Sequence, residues 1–439
     1  MSFSLDSYLN SFLNWESRLE QAGPSDFDLS RVHRLLEAVG HPEDQLKFVH
    51  VAGSKGKGST CAFLASILRS AGYRVGLYTS PHLYSHCERI RVLEPGGIPG
   101  PFEGMISEED LIDRVRFYQA RIDALRDAGV EITFFEFWTA IALTHFAHKK
   151  AQIVVLETGL GGRLDATNAV DTLVCGITSI GLEHTQILGD TLVKIAREKG
   201  GIIKAPSQKV VLAPQEESVM QILRERCEEF FIMPSIVGKD VRCVLIHQDE
   251  RGSVFYIDGR RAYSDLKTSL VGEHQVMNAA TAVAMAEDLE VFGFLITEEA
   301  VRQGIVQACW PARFEIISRE PRVIVDCAHT PESMEAMVRT FQSVYPGKKA
   351  VVVMGMGVDK KAGVMVELVT PIAQALILTK SGHPRAMDPH SMSILPGALV
   401  VEPFQKAMQE AFYRTGQDGI ILVCGSVFMA AEARDYVSV

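Results

Sequence analysis

Residues 49–60 read Val49-His50-Val51-Ala52-Gly53-Ser54-Lys55-Gly56-Lys57-Gly58-Ser59-Thr60. An apolar run leads into the glycines, and a helical apolar pattern follows them as far as Gly72. A strand, a glycine-rich loop and a helix together favour a phosphate site, because free backbone N–H groups and the helix N-terminus attract anions. Lys57 adds a full positive charge. We predict that the nucleotide phosphates are bound by Gly53, Ser54, Lys55, Gly56, Lys57, Gly58, Ser59 and Thr60.

The loop departs from the general G-x-x-x-x-G-K-[ST] pattern. Its first gap is short, and Gly58 separates Lys57 from Ser59. Two interpretations stay open at this point: a glycine-rich turn in an α/β unit, or a particular branch of nucleotide enzymes. The rest of the chain has to decide between them.

Composition bounds the class of protein. A chain of 439 residues predicts two or three domains, and 47% apolar with 22% charged residues is typical of a soluble globular protein. A net charge of −10 argues against a nucleic-acid or membrane-surface partner. The eight cysteines are scattered without a C-x-x-C pair, no signal peptide is evident, and no apolar run approaches ~20 residues. We therefore expect a cytoplasmic protein with small-molecule partners. We also expect a monomer, because we see no exposed apolar stripe that would need a partner.

Strands alternate with helices along most of the chain, which predicts a mostly parallel sheet. Residues 1–45 are expected to be helical and amphipathic, and residues 207–270 to form mixed short strands. Residues 94–104 are a loop by composition, either a surface hairpin insertion or a mobile substrate flap. A second α/β set begins near Arg313. We predict an α/β protein with a P-loop-type, mostly parallel ATPase domain at 1–308 and a smaller Rossmann-like domain at 309–439.

Three polar side chains follow predicted strands of the first domain: Ser80, Glu157 and His184. Ligands collect at the carboxyl ends of the strands of an open parallel sheet. A hydroxyl, a carboxylate and an imidazole beside nucleotide phosphates predict a Mg²⁺ site, although each residue alone would more often be structural. His184 would also suit Mn²⁺.

Four further residues are candidates. Lys199 ends a helix, and its spacing alone favours a surface lysine that complements the helix dipole. Arg313 lies at the predicted domain junction, where it would reach phosphates or form an interdomain salt bridge. Asp326 and His329 follow the first strand of the second domain, and we expect them to be functional.

Several stretches of the chain, taken in order, resemble the folylpolyglutamate synthase/dihydrofolate synthase family of the Mur ligase superfamily. The resemblance runs from about residue 46 to Gly425-Ser426, and the family's loop also has a glycine between the lysine and the hydroxyl residue. The matching stretches are the glycine loop, Ser80-Pro81-His82, 157–168, 179–185, 198–204 and 326–331.

The resemblance implies a central ATPase domain and a C-terminal Rossmann-like domain with ATP at their interface. It assigns Mg²⁺ to Ser80, Glu157 and His184, and a second Mg²⁺ to a carbamylated Lys199, which replaces the surface interpretation. The remaining roles that it implies are adenine contact for Asn278, contact with ATP and the transferred phosphoryl group for Arg313, Asp326 and His329, and substrate binding for Pro81, His82, Asp165 and Ala166. Lys57, Lys199, Asp326 and His329 are the predicted catalytic residues.

The implied reaction joins L-glutamate to a pterin-linked carboxylate through an acyl phosphate. Ser54-Lys55, Glu183 and Thr330 depart from the usual family residues, which leaves open whether dihydropteroate, a folate or both are used. Two other interpretations stay possible: a Mur-type ligase with another carboxylate acceptor, and a P-loop switch that binds nucleotide without ligation.

Overall fold

The strand that carries the glycine loop lies in the middle of a sheet. The computed structural model describes residues 4–16, 18, 21–358, 360–392 and 397–438. Strand β1 (Phe48–Ala52) is buried along its whole length and pairs in parallel with a strand on each side. Continuous burial explains its mostly apolar sequence, in which His50 is the one polar residue, because both faces of a parallel sheet are covered.

The helices are α1 Leu5–Leu9, α2 Leu29–Val39, α3 Lys57–Ser70, α4 Glu108–Asp127, α5 Phe134–His148, α6 Thr185–Leu188, α7 Leu192–Gly200, α8 Glu217–Glu228, α9 Glu273–Asp288, α10 Glu298–Gln307, α11 Pro331–Val344, α12 Ala362–Val369, α13 Phe404–Thr415 and α14 Val427–Ser438. The further strands are β2 Val75–Tyr78, β3 Ile90–Leu93, β4 Ile153–Glu157, β5 Val174–Ile177, β6 Lys209–Leu212, β7 Ser235–Ile236, β8 Arg242–Asp249, β9 Gly252–Asp258, β10 Ala262–Thr268, β11 Glu315–Arg319, β12 Arg322–Val325, β13 Ala350–Met354, β14 Ala373–Leu378, β15 Leu399–Val400 and β16 Ile420–Cys424.

The first sheet has the order β3-β2-β4-β1-β5-β6-β7. Only β3 runs antiparallel to its neighbour, so the carboxyl ends of β2, β4, β1 and β5 lie side by side at one edge. Helices α2, α4 and α5 share an apolar core with β2 and β4, and α7 and α8 share another with β5 and β6 on the same face of the sheet. The segments after those four strands therefore meet at one edge.

Local sequence explains why these helices start where they do. The Thr133 hydroxyl accepts from the Glu136 N–H, and the Glu136 carboxylate accepts from the Thr133 N–H, which forms a capping box at the start of α5. The Asp28 side chain caps α2 by accepting from the Ser30 N–H, and the Ser107 side chain caps α4 by accepting from the Asp110 N–H. Helix α5 is buried nearly all round, as its apolar sequence predicts.

Two expectations about secondary structure need correction. Within residues 1–45, the described α-helices are only α1 and α2, so the predicted helical stretch is shorter than expected. Residues 1–3, 17, 19 and 20 lie outside the described residues. Residues 207–270 contain helix α8 as well as strands. Its buried residues Val219, Met220, Leu223 and Cys227 follow helical spacing, a signal that the strand prediction overlooked.

The chain divides into two compact units. The first comprises Met1–Val244, Tyr256–Leu266 and Met277–Cys309, and the second Leu245–Phe255, Lys267–Val276 and Trp310–Val439. Strands β10, β9 and β8 form a three-stranded sheet in that order. The functional domains predicted at 1–308 and 309–439 stay a prediction.

The sheet of the second unit has the order β11-β12-β16-β13-β14-β15, and only β11 is antiparallel. Its apolar core includes Phe341 of α11 and Met365 of α12. The predicted α/β class, with two mostly parallel sheets in succession, is confirmed. None of the helices in the described part of the chain has the length and apolar character that crossing a membrane requires.

Candidate active site

The loop after β1 takes a conformation that only glycine supports at two positions. Gly53 has φ +147° and Gly56 has φ +88°. A Cβ atom would lie 1.9 Å from the Thr178 Oγ1 atom at Gly53, and 2.2 Å from the Asn278 Oδ1 atom at Gly56. Helix α3 begins directly after this turn, at Lys57. The loop is therefore closely packed, and Asn278, the predicted adenine contact, lies against it.

The segment after β5 anchors the loop from its other side. The Ser179 carbonyl oxygen accepts from the N–H groups of Ser54 and Lys55 at 2.9 and 3.1 Å. The Ser54 hydroxyl donates to the Gly181 carbonyl oxygen at 3.0 Å. The residues that lead to His184 are thereby tied to the loop that we predict to bind phosphates.

Two lysines share one acceptor beneath the loop. The Lys57 Nζ atom donates to the Gly53 carbonyl oxygen at 2.9 Å, and the Lys199 Nζ atom donates to the same oxygen at 2.8 Å. Lys199 also pairs with the Glu183 Oε1 atom at 2.8 Å, and Lys55 approaches the Glu183 Oε2 atom at 3.5 Å. One carboxylate thus offsets part of the charge of three ammonium groups.

Burial sets the charge state of this cluster. Lys199 is only 1% exposed, and burial together with the nearby Lys57 lowers its pKa to about 8, although Glu183 opposes the shift. Burial alone would raise the pKa of the Glu183 carboxyl, but the surrounding ammonium groups, led by Lys199, hold it well below its usual range. Lys199 is therefore a buried amine, contrary to the surface position that its spacing favours.

Of the three predicted Mg²⁺ ligands, the structure brings two into direct contact. The Ser80 N–H donates to the Glu157 Oε2 atom at 3.1 Å, across the ends of the neighbouring strands β2 and β4. Glu157 is 5% exposed. His184 follows β5, two strands away from β4 at the same edge, and has φ +48°. A buried carboxylate beside a hydroxyl residue supplies the oxygen ligands that Mg²⁺ prefers.

The segment after β4 packs on the end of α7. A Cβ atom at Gly162 would lie 2.7 Å from the Lys199 carbonyl oxygen, so only glycine allows this approach. The Arg163 N–H donates to the Glu198 carbonyl oxygen at 2.8 Å, and the Asn168 Nδ2 atom donates to the Gly201 carbonyl oxygen at 3.2 Å. These bonds fix the segment relative to the helix that carries Lys199.

Asp165 and Ala166, two predicted substrate-binding residues, are buried in this segment. The Asp165 carboxylate accepts from the N–H groups of Leu160 and Thr167 at 2.7 and 3.0 Å. Burial raises the pKa of Asp165, and these bonds act against the shift. In the structure Asp165 holds the segment together. The other two predicted substrate residues lie nearer the surface: Pro81 is exposed and His82 is half-buried.

The 94–104 loop is tied to the first sheet. The Arg91 Nε atom donates to the Glu103 carbonyl oxygen at 2.7 Å, and the buried Arg69 pairs with the Glu103 carboxylate. The Val92 N–H donates to the Gly104 carbonyl oxygen at 2.7 Å. These contacts fit the surface insertion better than the mobile flap.

In the second unit, Asp326 organises the turn after β12. Its carboxylate accepts from the N–H groups of Phe314 and Ala328 at 2.8 and 2.7 Å, and burial raises its pKa. The His329 Nδ1 atom lies 2.8 Å from the Cys327 carbonyl oxygen, and His329 is two residues before the start of α11. Arg313 stands between Ala312 and Phe314, which both have positive φ, of +57° and +46°. Such backbone costs energy at non-glycine residues and occurs often at functional sites.

Sequence reasoning missed the part that Glu183 plays. It counted Glu183 only as a departure from the family pattern, whereas the structure makes it the ion-pair partner of Lys55 and Lys199. Its position beside His184, in the segment that follows β5, was the available signal.

Comparison with known proteins relates the chain to known families. The family described as "Mur ligase middle domain" matches residues 129–286, and "Mur ligase, glutamate ligase domain" matches residues 312–427. The dihydrofolate synthase/folylpolyglutamate synthase of Bacillus subtilis (strain 168) is 35% identical over 415 residues, which cover 92% of this chain and 94% of that protein.

Solved structures agree in fold along nearly the whole chain. A Mycobacterium tuberculosis folylpolyglutamate synthase complexed with ADP has a TM-score of 0.87 at 27% identity, covering 99% of this chain and 98% of that one. A structure described as an FPGS-AMPPCP-folate complex has a TM-score of 0.84 at 27% identity, covering 98% of this chain and 97% of that one.

Proposed function

Because this chain belongs to the folylpolyglutamate synthase/dihydrofolate synthase family of Mur-type ligases, we propose that it uses ATP to join L-glutamate to a pterin-linked carboxylate. The chain is an ATP-dependent acid–amino-acid ligase. The observation that carries the ATP chemistry is the lysine cluster at the Gly53 carbonyl, set beside a buried carboxylate at the edge of the same sheet. The likeness to the Bacillus subtilis enzyme supports the pterin-linked acceptor.

The proposed reaction has two steps. The substrate carboxylate attacks the γ-phosphorus of ATP, and ADP leaves with the electrons of the broken P–O bond. The amino group of L-glutamate then attacks the resulting acyl phosphate, and phosphate leaves as the amide forms. Charge grows on the phosphoryl oxygens in the first step, so the ammonium of Lys57 and the loop N–H groups lower its barrier.

We assign Mg²⁺ to Ser80, Glu157 and His184, and the ion would neutralise phosphate charge when bound. The buried Glu157 carboxylate in contact with Ser80 supports this assignment. Asn278, Arg313, Asp326 and His329 complete the proposed ATP contacts, and Pro81, His82, Asp165 and Ala166 the substrate contacts. The functional domains 1–308 and 309–439, the monomeric state and the cytoplasmic location belong to the same proposal.

Lys199 as it stands is a cation and offers Mg²⁺ no ligand. We propose that its neutral amine adds CO₂ with loss of one proton, and that the new carboxylate holds a second Mg²⁺. A pKa of about 8 supports this, because an appreciable fraction of the amine is neutral near pH 8. The enzyme equilibrated with ¹³C-labelled CO₂ should show a carbamate NMR signal that is absent from Lys199→Met. A spectrum without that signal across pH 7–9 would remove the second ion from the proposal.

Isotope transfer tests the acyl phosphate directly. With ¹⁸O in both oxygens of the reacting carboxylate, one ¹⁸O atom should appear in the released phosphate for each amide formed. Phosphate without ¹⁸O would mean that water, and not the carboxylate, attacks ATP.

A further inference from the structure

The turn between β2 and β3 is held rigid by two adjacent residues. Glu88 directs its carboxylate back along the turn and accepts from the N–H groups of Leu83, Tyr84 and Ser85 at 2.7, 2.7 and 2.8 Å. Three backbone donors on one carboxylate leave the turn little freedom. The residues that follow Ser80 are therefore held in a defined place before any ligand binds.

The neighbouring Arg89 acts on a side chain of the same turn. It is 1% exposed, and its Nη1 and Nη2 atoms donate to the two Glu16 carboxylate oxygens at 2.7 and 2.6 Å. Its Nε atom donates to the His82 Nδ1 atom at 3.0 Å. The paired contact with Glu16 fixes the plane of the guanidinium, and hence the direction of its Nε–H.

This contact determines which nitrogen of His82 carries a hydrogen. A guanidinium has donors and no acceptor, so the Nδ1 atom must accept. A neutral imidazole with an accepting Nδ1 atom carries its single hydrogen on Nε2. The His86 ring lies edge-on at 4.4 Å and restricts the rotation of His82.

We propose that Arg89, held by Glu16, is a positioning residue that keeps His82 as an Nε2–H donor, and that this donor selects an oxygen acceptor on the substrate. The acceptor is a carbonyl or carboxylate oxygen of the pterin-linked substrate. The identity of the substrate rests on the proposed function, whereas the positioning of His82 by Arg89 does not. An analogue with a donor group at the same position should be rejected, because two donors would face each other.

Nitrogen NMR of the full chain, labelled with ¹⁵N-histidine, tests the positioning without any substrate. The His82 signals, assigned by their absence from His82→Phe, should show a protonated Nε2 and an unprotonated Nδ1. Arg89→Met should shift them toward a mixture of the two neutral forms. A hydrogen on Nδ1 in the unchanged protein, or signals unaffected by Arg89→Met, would overturn the proposal.

Kinetics test the substrate contact. A glutamine amide nitrogen can reach the place of Nε2, whereas an asparagine amide nitrogen falls near the place of Nδ1. We expect His82→Gln to keep the KM for the pterin substrate within about threefold, and His82→Asn to raise it about tenfold, the size of one lost hydrogen bond. The KM for ATP should stay unchanged in both variants. Equal pterin KM values for the Gln and Asn variants would contradict the donor role.

The matched control is Arg74→Met. Arg74 also pairs with a carboxylate, since its Nε atom lies 2.8 Å from the Glu94 Oε2 atom. It directly precedes β2, at the end of that strand opposite to the turn. Arg89→Met should raise the pterin KM and Arg74→Met should not. If Arg89→Met does not fold, the His82 variants still decide the question. An unchanged protein that releases no phosphate with any pterin would refute the proposed function, and the NMR result would still test the positioning.

Discussion

The Lys57 and Lys199 ammonium groups donate to one acceptor, the Gly53 carbonyl oxygen, at 2.9 and 2.8 Å. Two like charges on one oxygen repel each other, and the Glu183 carboxylate, 2.8 Å from Lys199, offsets that repulsion. The cluster keeps positive charge next to the loop whose N–H groups we propose to bind phosphates.

Lys57→Met should remove turnover without unfolding the protein. We expect kcat for phosphate release to fall by about 100-fold or more, because a cation aimed at the transferring phosphoryl group is lost. The unfolding midpoint should change little, since Lys199 still donates to the Gly53 carbonyl oxygen. Lys194→Met, on an exposed lysine of α7, is the control and should keep full activity. A Lys57→Met enzyme with near-normal kcat would remove Lys57 from the mechanism.

Gly56→Ala should greatly weaken nucleotide binding, whereas the free energy of unfolding should fall only modestly. Gly56 has φ +88°, and its new Cβ atom would lie 2.2 Å from the Asn278 Oδ1 atom. Gly72→Ala is a close control, because Gly72 has φ +92° with no atom within 4 Å of the new Cβ. Both variants should lose about 1 kcal/mol of stability from the left-handed backbone. Only Gly56→Ala should weaken ATP binding in calorimetry, and equal binding by both variants would argue against a close-packed phosphate loop.

Glu157→Gln should raise the Mg²⁺ requirement. The amide oxygen can still accept from the Ser80 N–H, so the local structure should persist while the charge that attracts the ion is lost. Titration of activity against Mg²⁺ should give a half-saturating concentration at least about tenfold higher, as expected when a charged ligand becomes neutral. The control is Glu94→Gln, since Glu94 forms an exposed salt bridge. This variant should have the same half-saturating Mg²⁺ concentration as the unchanged enzyme. An unaltered Mg²⁺ curve for Glu157→Gln would place the ion elsewhere.

Acid should destabilise the protein partly through His50. This ring is fully buried, its Nε2 atom lies 2.7 Å from the Thr167 Oγ1 atom, and burial lowers its pKa to about 3. The unfolded chain takes up this proton near pH 6.5 and the folded chain does not, so stability falls as pH drops from 6.5 toward 3. Between pH 6.5 and 5 this group contributes about 2 kcal/mol of that loss. Urea midpoints of the unchanged protein should fall over this range more steeply than those of His50→Asn, and parallel curves would contradict the assignment.

The sequence predicts the loop and its strand well because both are local. Residues 49–60 contain the glycines, the lysine and the flanking apolar run, and the structure places α3 directly after Gly56. The apolar runs before Ser80 and Glu157 also predict that both residues lie at strand ends. The contact between them follows from the pairing of β2 with β4.

Long-range packing could not be predicted in the same way. Lys199 has the local pattern of an exposed helix end, yet α7 packs so that its ammonium lies beneath the Gly53 carbonyl, 146 residues away in sequence. Only the family resemblance pointed to a role for this residue. The Glu16–Arg89–His82 arrangement likewise joins residues with no shared motif.

Glutamate-dependent phosphate release from ATP tests directly whether the chain ligates L-glutamate to a pterin-linked carboxylate. We would assay dihydropteroate and reduced folates separately, each with and without L-glutamate. We expect release only when a pterin substrate and L-glutamate are both present, and the active pterin identifies the acceptor. Intact ATP binding with no glutamate-dependent release for any pterin would contradict the proposed function.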